Sequence, residues 1–280
     1  MKVKQRNIIY KTIVWIATII TSVVFLLPIY WIFLSSITPR EMIFTSPIHY
    51  IPLQPTLANY TLIFETLNFW KFASNTAVIL SFSLLASTLF SVLAAYAFAR
   101  IKFRGSNIAL MFIFLSSILP MATTVIPLFQ MFNKFDLIDK MGGMFILYTS
   151  MLLPFSTWII TSYLKQFPLS LEEAAWIDGS GFFRSMITII LPLMRPAVAT
   201  ILIINFITGM NEFMTPLIFS MQETKTLTVG MLEIASFSPY YAPWENISAY
   251  GSLMLIPIIL FIIIFQKQIM EGLMSGGVKS

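Results

Sequence analysis

Residues 171–179 read "LEEAAWIDG". Glu172, Glu173 and Asp178 crowd this stretch with carboxylates, in a chain where only 10% of residues are charged. Pro168 stands just ahead, and the residue before a proline avoids helical geometry, so the chain is punctuated there. Ser170 with Glu173 three residues on has the spacing of a capping box, in which the serine caps the first turn and the glutamate reaches back. Two glutamates in a first turn also suit the positive end of the helix dipole. Gly179 supplies a left-handed stop. The spacing predicts a two-turn helix over 171–178. Ala174 and Ala175 add no bulk, which suits a helix that docks into a groove of another protein. A plain surface helix in a connecting loop has the same pattern, and the residues alone leave both readings open.

Everything around this segment is apolar. The chain has 280 residues, 58% of them hydrophobic, and a mean hydropathy of +0.84. Soluble domains carry about 25% charged residues. Most of this chain is therefore built to avoid water. Six apolar segments stand out, near 12–37, 72–99, 107–132, 142–163, 196–219 and 247–265. Each has roughly the 20 residues that a helix needs to cross a bilayer, so the fold class is an all-α membrane protein. The first segment is too long for the core of a secretory signal and reads as a span.

The cations between the segments are unevenly shared. Lys2, Lys4, Arg6 and Lys11, then Arg100, Lys102 and Arg104, then Lys165, Arg184 and Arg195, and finally Lys267 and Lys279 fall on one side of a six-span topology. Arg40, Lys71, Lys134, Lys140 and Lys225 fall on the other. The richer side is cytoplasmic by the positive-inside rule, so both termini are expected there. The net charge of +5 is then a matter of membrane orientation, and no nucleic-acid partner is called for. The division expected is a cytoplasmic tail over 1–11, a six-span domain over 12–265 with a cytoplasmic loop at about 164–192, and a cytoplasmic tail over 266–280.

Several features bear on chemistry. There is no cysteine and a single histidine, His49, so neither a disulfide framework nor a metal site is expected. No Ser-His pair or paired aspartates sit within the spans, so catalytic residues are not expected either. Ser83, Ser87 and Ser91, spaced by four, form a small-residue stripe suited to close helix packing. Prolines at 28, 120, 127, 154, 216 and 257 lie within spans, where neighbouring helices can re-satisfy freed carbonyls. In the fifth segment Asn205, Thr208, Glu212 and Thr215 step by three, four and three along one face, with Asn211 beside them. An ionisable group at membrane depth faces a cavity or a partner helix, so this stripe is a candidate translocation path, with interhelical hydrogen bonding as the alternative. The segments 38–71 and 220–246 read as long external connections, the first proline-rich and irregular.

Glu173-Ala174-Ala175, three residues, Gly179, nine residues, then Ile189-x-Leu191-Pro192 fits the pattern EAA-x(3)-G-x(9)-I-x-LP. With it the chain resembles the permease subunits of binding-protein-dependent ABC importers. The phrases "IPLFQMF", "LPFSTWII", "MNEFMTPL" and the tail "QKQIMEGLMSGGVKS" are similar to the carbohydrate branch, and to the smaller, six-span partner of the maltose-type permease pair. The resemblance runs from about Leu27 to Ser280. Ser180-Gly181 departs from the more usual Ala-Ser, exchanging small residues for small.

The resemblance implies the type I importer permease fold and a place in the cytoplasmic membrane of a bacterium or archaeon. It implies a homologous permease as heterodimer partner, two ATPase subunits and an external sugar-binding protein. Glu172, Glu173, Ala174, Ala175, Asp178 and Gly179 would couple to the ATPase. The tail, with Gln266, Gly272, Gly276 and Gly277, would lie against it as a flexible segment. No phosphate-binding G-x-x-x-x-G-K-[S/T] loop occurs in the chain, so ATP and magnesium are expected in the partner. An importer of another solute, such as a sugar phosphate ester, and a secondary transporter are the competing readings. The second normally needs several buried carboxylates or repeated halves.

Overall fold

The computed structural model describes residues 2–101, 103–236 and 241–277, with side chains omitted for 2–8, 121–122 and 269–277. All regular structure among the described residues is helical. In chain order the helices are α1 (Lys2–Ser36), α2 (Arg40–Ile43), α3 (Ala58–Thr66), α4 (Phe69–Arg100), α5 (Ser106–Ser116), α6 (Met121–Lys134), α7 (Met141–Leu164), α8 (Ser170–Ile177), α9 (Phe182–Ser185), α10 (Leu191–Leu193), α11 (Arg195–Asn211), α12 (Met214–Phe219), α13 (Leu227–Ala235) and α14 (Trp244–Gly277). A π-helical turn, Met186–Ile190, joins α9 to α10. Contacts divide the chain into two compact units, Met1–Phe69 with Met231–Pro257, and Trp70–Gly230 with Ile258–Ser280.

In the first unit, Asn59 ties the start of α3 to the end of α1, donating to the carbonyls of Ser36 and Thr38 at 2.9 and 3.2 Å. The Tyr60 hydroxyl meets Ser36 and Ser252 at 2.7 and 2.8 Å. Phe69 packs edge-on against Phe64 and Tyr250. The segment 38–71, expected as irregular, thus contains two short helices. From residue 9 to residue 33 nearly every side chain of α1 is exposed, as lipid or another apolar surface would require.

The second unit is a helix bundle, and its pairings fix the direction of each helix. Ser83 of α4 faces the Phe145 carbonyl of α7, and Ser91 faces Leu153, each at 3.4 Å. Both numbers advance by eight, so α4 and α7 run parallel. All three serines of the stripe are fully buried. Helix α5 runs antiparallel to α7, since Phe114 stacks on Trp158 while Asn107 meets Lys165. Helix α11 is antiparallel to α7 as well: Asn205 bonds Ser156 at 2.8 Å, and Gly209 lies against Tyr148 and Leu80. Two parallel helices that both cross a membrane need one crossing between them. The α5–α6 segment runs in the direction that such a crossing requires.

Four helical segments are individually long and apolar enough to cross a membrane: Ile9–Ser36, Phe69–Arg100, Met141–Leu164 and Trp244–Gln268. A fifth qualifies as a bent pair, Phe182–Leu193 with Arg195–Asn211, turned by 71°. The segments expected as continuous helices over 107–132 and 196–219 are each broken in two, the first between Ser116 and Met121, the second between Asn211 and Met214. Proline explains both. Its ring clashes with the carbonyl four residues back and it has no N–H to offer. Four residues before Pro120 is Ser116, where α5 ends. Four residues before Pro216 is Glu212, where the backbone turns extended (ψ 123°). The Glu212 carbonyl takes the Thr228 hydroxyl instead, at 2.8 Å.

Both expected tails are helical along their described length. Helix α1 begins at Lys2, and α14 runs on through Gly272 and Gly276 to Gly277. A mid-helix glycine costs about 1 kcal/mol, and the intervening Leu273 and Met274 favour continuation. The expectation of a flexible 266–277 is corrected accordingly; residues 278–280 lie outside the described residues.

Candidate functional site

The second unit has two poles, separated by α4, which at about 1.5 Å per residue is roughly 48 Å long. One pole gathers the end of α4, the start of α5, the end of α7 and the whole of α8 and α9.

Helix α8 spans Ser170–Ile177, one residue earlier than the sequence suggests. Its N-terminus is not a capping box. The chain enters already helical at Leu169, whose carbonyl accepts the N–H groups of Glu172 and Glu173 at 2.9 and 3.1 Å. Ser170 therefore lies inside the helix, and no side chain caps it. The C-terminus is as expected. Gly179 has φ +81°, its N–H reaches the Trp176 carbonyl at 3.0 Å, and Ser180 N–H reaches the Ala175 carbonyl at 2.9 Å. These are the two bonds of a Schellman motif.

The six residues of the EAA stretch divide into two groups. Glu172, 2% exposed, and Ala175 turn into the protein; Glu173, Ala174, Asp178 and Gly179 face outward. An outward-facing Ala174-Ala175 pair is thereby corrected, because α8 packs its Ala175 edge on its own chain. Glu172 Oε1 accepts a hydrogen bond from Nε of Arg100 at 2.6 Å, with the Arg100 side chain 9% exposed. Arg100 also donates to the Phe167 carbonyl at 3.1 Å. One turn earlier on α4, Tyr96 packs edge-on against Phe182 of α9. The last turn of α4 thus grips both α8 and α9. Sequence gave Arg100 only a flanking charge; its partner lies 72 residues away, beyond any local spacing rule. Beside this clamp α8 and α9 leave Leu171, Trp176, Ile177 (85%) and Phe183 (76%) exposed.

The π-turn follows. Leu191 N–H reaches back five residues to the Met186 carbonyl, a widening that accommodates Pro192 in the next position. The Ile189-x-Leu191-Pro192 part of the motif therefore lies in this widened turn and the short helix after it, and the 71° bend into α11 follows at Met194.

At its far end α11 reaches a cavity of about 550 Å³. Ser116, Ser117, Thr124, Ser150, Asn211, Glu212 and Thr215 supply its polar lining. Glu212 is half-buried, and its Oε1 accepts the Thr215 N–H at 2.8 Å. Of the expected stripe, Asn211, Glu212 and Thr215 meet here. Asn205 is buried against Ser156 and Thr208 is exposed, so the four expected on one face do not line one space: Glu212 and Thr215, beyond the end of α11, join the neighbouring Asn211 at the cavity. The four hydroxyl residues from α5, α6 and α7 have only Pro120 and Pro154 as a sequence signal.

The opposite pole is organised by Asp139. Its carboxylate accepts the N–H groups of Met221, Gln222, Glu223 and Thr224 at 3.0–3.1 Å, and the Thr224 hydroxyl at 2.9 Å. Burial pushes the carboxyl pKa up, but these backbone donors outweigh it and hold it at about 2. Asn75 and Lys71 of α4 fasten the same loop, through the Glu223 and Lys225 carbonyls and the Glu223 carboxylate. Among the described residues, no three of the His, Asp and Glu side chains gather as a metal ion would require.

Residues 87–273 match the family described as binding-protein-dependent transport system inner membrane component. The chain belongs to this family. It is 31% identical to the trehalose/maltose transport system permease protein MalG of Thermococcus litoralis, over 98% of this chain and 99% of that one. It is 32% identical to the sulfoquinovosyl glycerol transport system permease protein SmoH of Agrobacterium fabrum, over 96% and 94%. A solved bacterial ABC transporter that imports the acidic polysaccharide alginate has the same fold, with a TM-score of 0.78 at 23% identity over 92% and 96% of the two chains. The relatives are permease subunits of sugar transport systems.

Proposed function

We propose that this chain is the transmembrane permease subunit of an ATP-driven importer of carbohydrate, and that α8 is the handle by which a separate ATPase moves it. The observation that carries the coupling reading is the two-sidedness of α8. Its inner edge is fixed to α4 by the Arg100–Glu172 pair, and its outer side presents Leu171, Ala174, Trp176 and Ile177 bare. An apolar patch beside a cluster of cations, at a helix-bundle end, marks a protein interface. A helix laid in a groove is the docking mode that suits it.

In this reading the α8 pole, with Arg100, Arg104, Lys165, Arg184 and Arg195, is cytoplasmic. Six crossings follow from α1, α4, α5–α6, α7, α11–α12 and α14, with both termini inside. A homologous permease completes the path, two ATPase subunits bind ATP and magnesium below, and an external binding protein delivers sugar. Closure of the ATPase dimer pulls on α8. The clamp passes the pull to α4 and the π-turn passes it to α11, whose far end lines the cavity with Asn211 and Glu212. That rigid-body linkage is alternating access. The α14 end, from Gln266 to Gly272, Gly276 and Gly277, extends the cytoplasmic contact.

The test is purification of the full complex from membranes. The chain should copurify with an ATPase whose hydrolysis rises when sugar-loaded binding protein is added, and vesicles should accumulate sugar only with ATP inside the ATPase compartment. Sugar uptake driven by an ion gradient without ATP would overturn the reading.

A further inference from the structure

The cavity at the end of α11 is built from three proline positions. Pro120, Pro154 and Pro216 each stand four residues after a lining residue, Ser116, Ser150 and Glu212 respectively. Each proline removes the amide that an unbroken helix would set on that residue's carbonyl. Irregular backbone at membrane depth persists only where it is buried in protein or lines a water-filled space. Two of the three segments break here, at Ser116 and at Glu212, while α7 runs on through Pro154, and the polar lining around the breaks suits a water-filled space.

The hydrogen bonds give that space a sign. The hydroxyls of Ser116, Ser117 and Ser150 donate to the carbonyls of Ile113, Phe114 and Leu147 at 2.6, 2.6 and 2.8 Å. Asn211 directs an amide proton to the Ile207 carbonyl at 2.8 Å. What these side chains turn toward the cavity is mainly lone pairs. Glu212 adds a carboxylate, and among the described residues no lysine or arginine lines the space. A volume of about 550 Å³ falls within the roughly 300–1,000 Å³ of small-molecule sites.

We infer that this subunit contributes a sugar subsite of its own, at the meeting of the α5–α6 and α11–α12 breaks, and that it accepts uncharged polyhydroxyl units and rejects anionic ones. Sugar hydroxyls are donors and match a lining of acceptors. A carboxylate, sulfonate or phosphate ester needs donors or a cation, and meets Glu212 instead. The inference rests on the carbohydrate-import reading and narrows it.

The chain has no cysteine, so a single one can be placed without background. Ser150→Cys and, separately, Ser117→Cys are made in the complete transporter in lipid vesicles, with Ser83→Cys, buried between α4 and α7, as the control. A small water-soluble methanethiosulfonate reagent should modify the first two and spare the third. During ATP-driven turnover, maltose, trehalose or maltotriose should slow modification several-fold, while a disaccharide carrying a uronic acid should not. Glu212→Gln should relax that discrimination. No modification at either position in a transporting complex would overturn the inference. So would modification that neutral sugars leave unchanged, or equal protection by neutral and acidic sugars. A complex that moves no sugar at all would instead sink the import reading beneath it.

Discussion

Removing one end of the Arg100–Glu172 clamp should be far worse than removing both. Arg100→Met leaves a carboxylate that is 2% exposed without its cation. Breaking a buried ion pair from one side costs about 3–5 kcal/mol. Loss of the bond from Arg100 to the Phe167 carbonyl adds on the order of 1 kcal/mol. The penalty falls where α8 meets α4, so the handle, not the whole bundle, should detach. The double variant Arg100→Met, Glu172→Met replaces the pair with apolar bulk, which is often neutral for a buried pair. The assay is a double-mutant cycle on the purified complex, read as ATPase retention and as sugar moved per ATP hydrolysed. Arg100→Met and Glu172→Met alone should each lose ATPase and coupling, and the double variant should retain more ATPase than either. Single effects that simply add, within about 0.5 kcal/mol, would show that the two groups do not act together and refute the clamp.

Gly179→Ala meets no atom within 4 Å of the new Cβ, so its cost is the left-handed backbone alone, about 1–2 kcal/mol; Gly179→Asn should be milder and Gly179→Val worse, with the order read from ATPase copurification while membrane levels stay normal. Gly209→Ala drives a Cβ into Leu80 Cδ2, an overpacking that costs about 1–3 kcal/mol, and Leu80→Ala in the same chain should recover part of the lost thermal stability. Asp139 has a folded pKa held below the ordinary value, so its contribution is present above about pH 4 and is lost as pH falls toward 2. Asp139→Asn should remove that contribution at every pH above this window, on the order of 1 kcal/mol after discounting for its partial exposure, and expose 220–224 to proteolysis.

The parts legible in the sequence were those whose cause is local. Gly179 marks its stop because only a few neighbouring residues decide a left-handed turn. The EAA stretch located a short helix that ends at Gly179. The apolar segments located the long apolar helices, but not their continuity. The breaks at Ser116 and Glu212 could have been placed by counting four residues back from Pro120 and Pro216, a rule that tolerates exceptions such as Pro154, where α7 runs on unbroken. The facing of α8 was not legible. Ser170 and Glu173 match a capping box, yet the helix starts at a different residue because Leu169 already turns helically. Glu172 reads as a surface charge until Arg100, 72 residues earlier, is seen beside it. Asp139 has no sequence signal, since its ligands are backbone amides of a distant loop.

The most direct test of the account concerns Ile177, 85% exposed on the outer side of α8. A single Ile177→Cys in the otherwise cysteine-free chain is treated, in membranes holding the whole complex, with a short thiol-to-amine cross-linker. Met221→Cys, at the opposite pole, is the control. The account predicts one cross-linked product joining the chain to the ATPase subunit from Ile177→Cys and none from Met221→Cys, together with slower labelling of Ile177→Cys by a water-soluble reagent when the ATPase is present. If Ile177→Cys forms no such product and labels at the same rate with and without the ATPase, α8 is an ordinary connecting helix and the central claim is wrong.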